Sequence, residues 1–421
     1  MLFKNVYVLI LCIGFMLSQT YYSIDQFIMN PEMEMSARGN ALGKTGLMKD
    51  DNAFWVISNP SALTKLEGLN ISFSGNLSRY KEHRSVRVND SFGGYTADAS
   101  YVFNDNNFNY YAACLSYGVS DVLALGLAYH PYYSYGYNYI EPVHDASYDL
   151  NRDPLVGYHK ENFSGDLSSI TTAISYKMYG ISFGFNYNKI VSETIKRNRV
   201  VEVISESNNL ASPTVYNDTL SYKFSDESFF SFGLTTNILR NLVLSFSITE
   251  SVNLEINGDS NNLGNYKIPS KTSFGFELKP RQEIPASIIF QYDNQNYSNL
   301  DISSLKDAWF INNSDEELNY YDKETFHFGI EIDNNKTPLR FGMVYENSIF
   351  QRDLDNAIFT FGIGKNINNL IIDLAANYSS LNYSYVDSFI PENNLSNPDS
   401  FEKITETNFD MMLTISYKFK F

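Results

Sequence analysis

The chain has 421 residues, with 31 Lys plus Arg against 48 Asp plus Glu, a net charge of −17. That balance excludes a nucleic-acid binder, which needs a basic face to replace phosphate counterions. With 32 Tyr, 31 Phe, a mean hydropathy of −0.26 and no later apolar run of about 18 residues, a helical membrane protein is excluded too.

The N-terminus reads as an export signal over residues 1–18. Lys4 precedes an apolar run from Val6 to Leu17, and Ser18 and Gln19 offer a small-residue cleavage point. Leu11 stands before Cys12 where a lipoprotein signal wants a small residue. Cleavage leaves one cysteine, Cys114, so no internal disulfide is expected.

From Leu69 onward apolar and polar residues alternate with period 2, the signature of strands with one apolar face. Leu69, Ile71 and Phe73 alternate with Asn70, Ser72 and Ser74. Phe326, Phe328 and Ile330 flank His327 and Gly329, and Leu339, Phe341 and Met343 flank Arg340 and Gly342. Six short turns are expected at Gly118–Val122, Tyr179–Ile181, Leu239–Leu242, Lys279–Pro285, Asp333–Pro338 and Lys365–Leu370. Seven long connections separate them, roughly His83–Asn107, Tyr133–Gly165, Ser192–Ser225, Val252–Pro269, Asn296–Lys323, Ile349–Asn356 and Tyr383–Glu406. The parity places Tyr95–Phe103 inside the first long loop.

Fourteen strands with short turns on one side and long loops on the other describe an all-β fold, a transmembrane antiparallel β-barrel over residues 68–421. The apolar set then faces lipid and the polar set the lumen. Tyr132, Tyr133, Tyr135 and Tyr137 are expected in an interfacial aromatic girdle. The last strand, Phe409 to Phe421, must pair with the first, because an open edge in lipid leaves backbone groups unsatisfied.

Several stretches carry a family likeness: Ala37-Arg38-Gly39-Asn40-Ala41-Leu42-Gly43, Asp50-Asp51-Asn52-Ala53, Asn59-Pro60-Ser61-Ala62-Leu63, Ile268 to Phe276 and Pro338 to Gly342. They resemble the long-chain fatty acid transporter (FadL) family, with Ser61 where that family commonly has Ala. The loops match nothing that would carry over substrate residues. The resemblance implies an N-terminal hatch, residues 19–67, plugging the lumen and gating it, with Gly39, Gly43, Asn59, Pro60, Ser61 and Ala62 as the candidate hatch residues. On their own terms, Gly39, Gly43 and Gly46 permit close packing or positive φ, and Pro60 forces Asn59 into extended or turn geometry. A terminal Phe421 after an alternating strand resembles the signal read by the barrel-insertion machinery.

Across the turn Asp333–Pro338, Glu331 should face Arg340 as a lumen ion pair. Arg340 could attract a ligand carboxylate, but Glu331 already neutralises it. Glu277, Glu346, Asp373, Lys418 and Lys420 read as solvated lumen groups and His327 as a hydrogen-bonding residue. His130, His144 and His159 read as loop residues rather than a metal site. Catalytic motifs are absent, and no cofactor, metal or enzymatic activity is expected.

Uptake of hydrophobic small molecules, fatty acids or aromatic compounds, through an outer membrane is the expected function. Partners would be that ligand, outer-membrane lipid and the insertion machinery, with no nucleic acid. The alternatives are a PorV-type accessory barrel of a protein secretion system and a general-diffusion barrel.

Overall fold

The structure is a computed structural model and describes residues 34–90, 92–144, 155–203, 216–258, 262–280, 285–300, 320–333, 337–349, 354–386 and 401–419. The signal region and Phe421 lie outside them.

Two short helices, α1 (Ala37–Ala41) and α2 (Trp55–Ser58), and a 3-10 helix, Pro60–Lys65, precede the strands. These are β1 (Leu69–Asn89), β2 (Tyr95–Ser120), β3 (Leu123–Ser134), β4 (Tyr137–His144), β5 (Leu155–Ser164), β6 (Asp166–Met178) and β7 (Ile181–Ser192). Then follow β8 (Thr194–Val203), β9 (Tyr216–Phe224), β10 (Ser228–Leu239), β11 (Leu242–Thr249), β12 (Val252–Gly258), β13 (Asn262–Ile268) and β14 (Lys271–Leu278). The chain ends with β15 (Ala286–Gln295), β16 (Lys323–Ile332), β17 (Leu339–Asn347), β18 (Asp355–Ile367), β19 (Leu370–Val386) and β20 (Phe401–Phe419).

Fourteen of these strands close into an antiparallel barrel in the order β1-β2-β3-β6-β7-β10-β11-β14-β15-β16-β17-β18-β19-β20. Closure runs through β1 and β20, with Phe73 opposite Ile415 and Leu77 opposite Met411. No backbone edge is left for lipid to cover, which is the condition a spanning sheet must meet. At Tyr179-Gly180 both φ angles are positive (50° and 83°), the geometry of a two-residue hairpin matched to strand twist.

The exposed and buried sets are inverted relative to a water-soluble protein. Phe73, Leu77, Tyr111, Leu127, Phe274 and Ile330 point outward and are exposed, while Ser72, Ser74, Asn76, Ser175 and Thr414 are buried inside. A continuous outward apolar surface of that extent fits contact with hydrocarbon.

The long connections differ from the loops that the sequence suggests. Tyr95–Phe103 is the outer end of β2 and pairs with β1, His83 opposite Phe103 and Val88 opposite Ala97. Strand parity survives because this stretch runs on through Asn104–Asn107 without a turn. Three further long connections each fold into a hairpin, and these six strands form a second sheet, β13-β12-β9-β8-β5-β4. Its β4 edge meets β2 through side chains. Asn106 receives a bond from Asn138 N and donates one to Asn138 O, while Asn104 accepts from Ile140 N.

Tyr132, Tyr133, Tyr135 and Tyr137 do not form an outward girdle: Tyr133 is half-buried against an apolar core that holds the other three and Tyr139. That core lies in this second sheet and also contains Phe163, Tyr222, Phe224, Leu254, Ile256 and Tyr266. Burying apolar area beneath the hairpins is what orders them.

Candidate functional site

Residues 34–67 lie inside the barrel. α1 packs against β17, β18, β19 and β20, and the 3-10 helix against β6, β7 and β10. Glycines on the inner wall allow this closeness. A Cβ on Gly184 would sit 2.0 Å from Ser61 N, on Gly342 2.1 Å from Gly43 N, and on Gly362 2.3 Å from the Ala41 Cβ. Gly184 pairs across strands with Gly233, and Gly329 with Gly342. Period-2 reading counts such glycines only as members of the polar face. Their signal is glycine at mid-strand, where a side chain would otherwise fill space.

Each hatch candidate occupies a defined place. Gly43 has φ +73°, and a Cβ there would meet Phe328 O at 2.4 Å. Asn59 Oδ1 accepts from Ser61 N (3.2 Å) and Ser61 Oγ (2.6 Å), capping the helix that Pro60 opens. Asn59 Nδ2 donates to Leu47 O (2.6 Å) and Thr235 Oγ1 (3.1 Å), tying two turns of the segment to β10. Ala62 is fully buried in an apolar cluster with Trp55, Val56 and Leu63. Gly39 carries two carboxyl groups above its Cα: a Cβ would lie 2.7 Å from Asp50 Oδ1 and 3.0 Å from Glu34 Oε1. Burial raises the Asp50 carboxyl to about 7, against a 2.6 Å bond from Ser58 Oγ that favours the charged form. Burial and then the nearby Asp50 hold Glu34 well above the carboxylate range.

Glu331 and Arg340 face one another in register and bond at 2.8 Å. They are part of a larger network. Arg340 also donates to Asp373 (2.6 Å), Arg38 of the interior segment donates to Glu331 (2.8 Å), and Lys49 to Glu277 (2.6 Å). Glu277 and Asp373 are therefore buried ion-pair members rather than solvated lumen groups, and Glu346 likewise pairs with Lys323 at 2.9 Å. Lys418 is partly buried on β20, and Lys420 lies outside the described residues. His327 Nδ1 sits 2.7 Å from Gly43 O, so that nitrogen carries the hydrogen, and the ring is fastened to the interior segment. His130, His144 and His159 lie in strands, not loops. His130 bonds Thr171 and His159 faces Glu141 at 3.5 Å, and among the described residues no cluster suits a metal ion.

Among the described residues, cavities lie on both sides of the interior segment, and on the long-loop side one of about 710 Å³ adjoins a smaller one through Glu34, Lys44 and Pro131. The smaller one is about 200 Å³. Its lining combines apolar Met35, Phe54, Ile57, Tyr132, Phe229 and Ile268 with polar His130, Lys271, Gln291, Asp293, Gln295 and His327. Another, about 670 Å³, opens beside the short turns and is lined by Arg38, Lys49, Asp51, Lys279, Glu331 and Asp333.

A 14-strand barrel enclosing its own N-terminal region, under a folded cap of long loops, has counterparts among solved structures. The chain is a FadL-like barrel in fold. It resembles a Pseudomonas aeruginosa FadL homologue at 12% identity with a TM-score of 0.58, over 92% of this chain and 98% of that one. It also resembles the P. putida toluene transporter TodX at 13% identity and TM-score 0.59, over 93% of this chain and 100% of that one. The Ralstonia pickettii toluene transporter TbuX gives 13% identity and TM-score 0.58 with the same coverage. No family model matches the sequence. No curated protein matches it either.

Proposed function

We propose that this FadL-like barrel is an outer-membrane channel for passive uptake of hydrophobic small molecules, with residues 19–67 as its hatch. One observation carries the reading: the smaller loop-side cavity joins the aromatic core of the second sheet, through Tyr132 and Phe229, to the surface of the interior segment. A compound leaving apolar surroundings on the loop side therefore meets the hatch next. A cavity of about 200 Å³ suits a single aromatic ring or a short chain, since an engineered apolar cavity of about 150 Å³ holds benzene. The likeness to barrels named as toluene transporters supports the same size class.

Gly39, Gly43, Asn59, Pro60, Ser61 and Ala62 would form the seal. Backbone against glycine leaves no gap, while the polar bonds of Asn59 and the Arg38–Glu331 contact can exchange for water when the segment shifts. Outer-membrane lipid would cover the outward apolar belt, and the insertion machinery would read the C-terminal strand ending at Phe421.

The test is extraction of bound organic compounds from the detergent-purified barrel, read by mass spectrometry, with toluene uptake into proteoliposomes as the functional arm. Enrichment over an unrelated barrel together with uptake supports the channel. An empty, non-conducting barrel that co-purifies with secreted proteins would replace it with the secretion-accessory role.

A further inference from the structure

Resting on the channel reading, we infer that the smaller loop-side cavity selects neutral ring compounds bearing a hydroxyl group over both pure hydrocarbons and carboxylates.

Besides its apolar side chains, this cavity has a polar patch on the inner face of β15, where Gln291, Asp293 and Gln295 follow one another at alternate positions. The donors there converge on one carboxylate. Lys271 Nζ lies 2.7 Å from Asp293 Oδ2 and Gln291 Nε2 donates to Oδ1 and Oδ2 at 3.0 and 3.1 Å, with the His327 ring beside them, its Nε2 3.2 Å from Oδ2. The contact with Asp293 fixes the amide orientation of Gln291, because a carboxylate can only accept. Its Oε1 is thereby turned away from Asp293, and it has no hydrogen-bond partner. The Gln295 Oε1 has none either, although both side chains are about 95% buried. Buried acceptors left unpaired call for a donor.

The charges on the wall decide which donor. Burial holds Glu34 above the carboxylate range, so Glu250 and Asp293 balance Lys44 and Lys271 in the lining, and Lys271 is already held by Asp293. An anionic headgroup meets no net positive charge there, and an unpaired amide oxygen repels it. A neutral hydroxyl on a ring supplies the donor while its body packs against Phe54, Tyr132 and Phe229.

The experiment uses three probes of one shape: p-cresol, p-xylene and p-toluate, titrated calorimetrically into the full chain in detergent. p-Cresol should bind about tenfold tighter than p-xylene, the effect of one net hydrogen bond. p-Toluate should bind no tighter than p-xylene. Gln291→Leu should bring p-cresol down to the p-xylene affinity without weakening p-xylene. Gln295→Met gives a second, independent variant should Gln291→Leu fail to assemble. Equal affinities in the unmodified chain, a preference for p-toluate, or a p-cresol preference that survives both substitutions would overturn the inference and leave the channel reading standing. Absence of binding by all three would overturn both.

Discussion

Glu331 holds one arginine with each carboxylate oxygen: Arg340 of β17 at Oε2 and Arg38 of the interior segment at Oε1, each at 2.8 Å. The barrel wall and the segment inside it thus share one buried anion. Replacing it by Gln removes the anion the two guanidinium groups share but leaves Asp373 beside Arg340 and Asp51 beside Arg38, so the cost falls below the roughly 3–5 kcal/mol of a buried charge left with no partner. In a chain with Cys114 removed and a cysteine at Ala62, Glu331→Gln should speed thiol labelling at least about tenfold. Unchanged labelling would mean the segment is held by packing alone.

Gly342 packs directly on the backbone of Gly43, so Gly342→Ala should push the interior segment off the wall. Overpacking of this kind costs about 1–3 kcal/mol. The expected readings are a lower midpoint of thermal unfolding in detergent and larger ion leakage in planar bilayers. Alanine at Gly136, which has no positive φ and where a Cβ would meet nothing nearer than 3.7 Å, controls for glycine loss without the clash.

Asn59→Ala removes the cap of the 3-10 helix, worth about 1 kcal/mol. It also strands the Leu47 carbonyl, which adds about 1–3 kcal/mol. Limited proteolysis from the short-turn side should cut this variant within residues 34–67 sooner than the parent chain. Asn59→Asp keeps the capping oxygen but loses the donor to Leu47, and should fall between the two.

Burial raises the Asp50 carboxyl in the folded chain to about 7, whereas unfolded it titrates near 3.8. The folded state therefore binds more protons between those values, and stability falls as pH rises through that window. Docking of the interior segment should be tighter at pH 5 than at pH 8, read as slower amide exchange over residues 36–58. Asp50→Asn should weaken the dependence, leaving the part that the raised Glu34 carboxyl supplies. A profile that runs the other way would show that Asp50 stays ionised when docked.

Much of the barrel was legible in the sequence because its physics is local. Period 2 in Leu69–Phe73 or Phe326–Ile330 assigns a face to every side chain, and Asn and Gly in short connections mark the turns. Glu331 could be set opposite Arg340 because a short turn fixes register. The same local rule hid the second sheet. The strands of the long connections carry tyrosines that read as a lipid girdle, and whether Tyr135 and Tyr137 face lipid or a core depends on hairpins far apart in sequence pairing with one another.

The sequence by itself determined the strand alternation, the even strand number and the small-residue character of residues 37–63, since each follows from side-chain period or backbone allowance. Only the tertiary structure decided that the wall glycines meet Ser61 and Gly43, and that Arg38 completes the Glu331–Arg340 pair. It alone also brought Gln291 and Gln295 into the lining of one cavity with Phe54 and Tyr132. Those contacts join residues separated by more than a hundred positions, and closing the barrel is the event that brings them within reach.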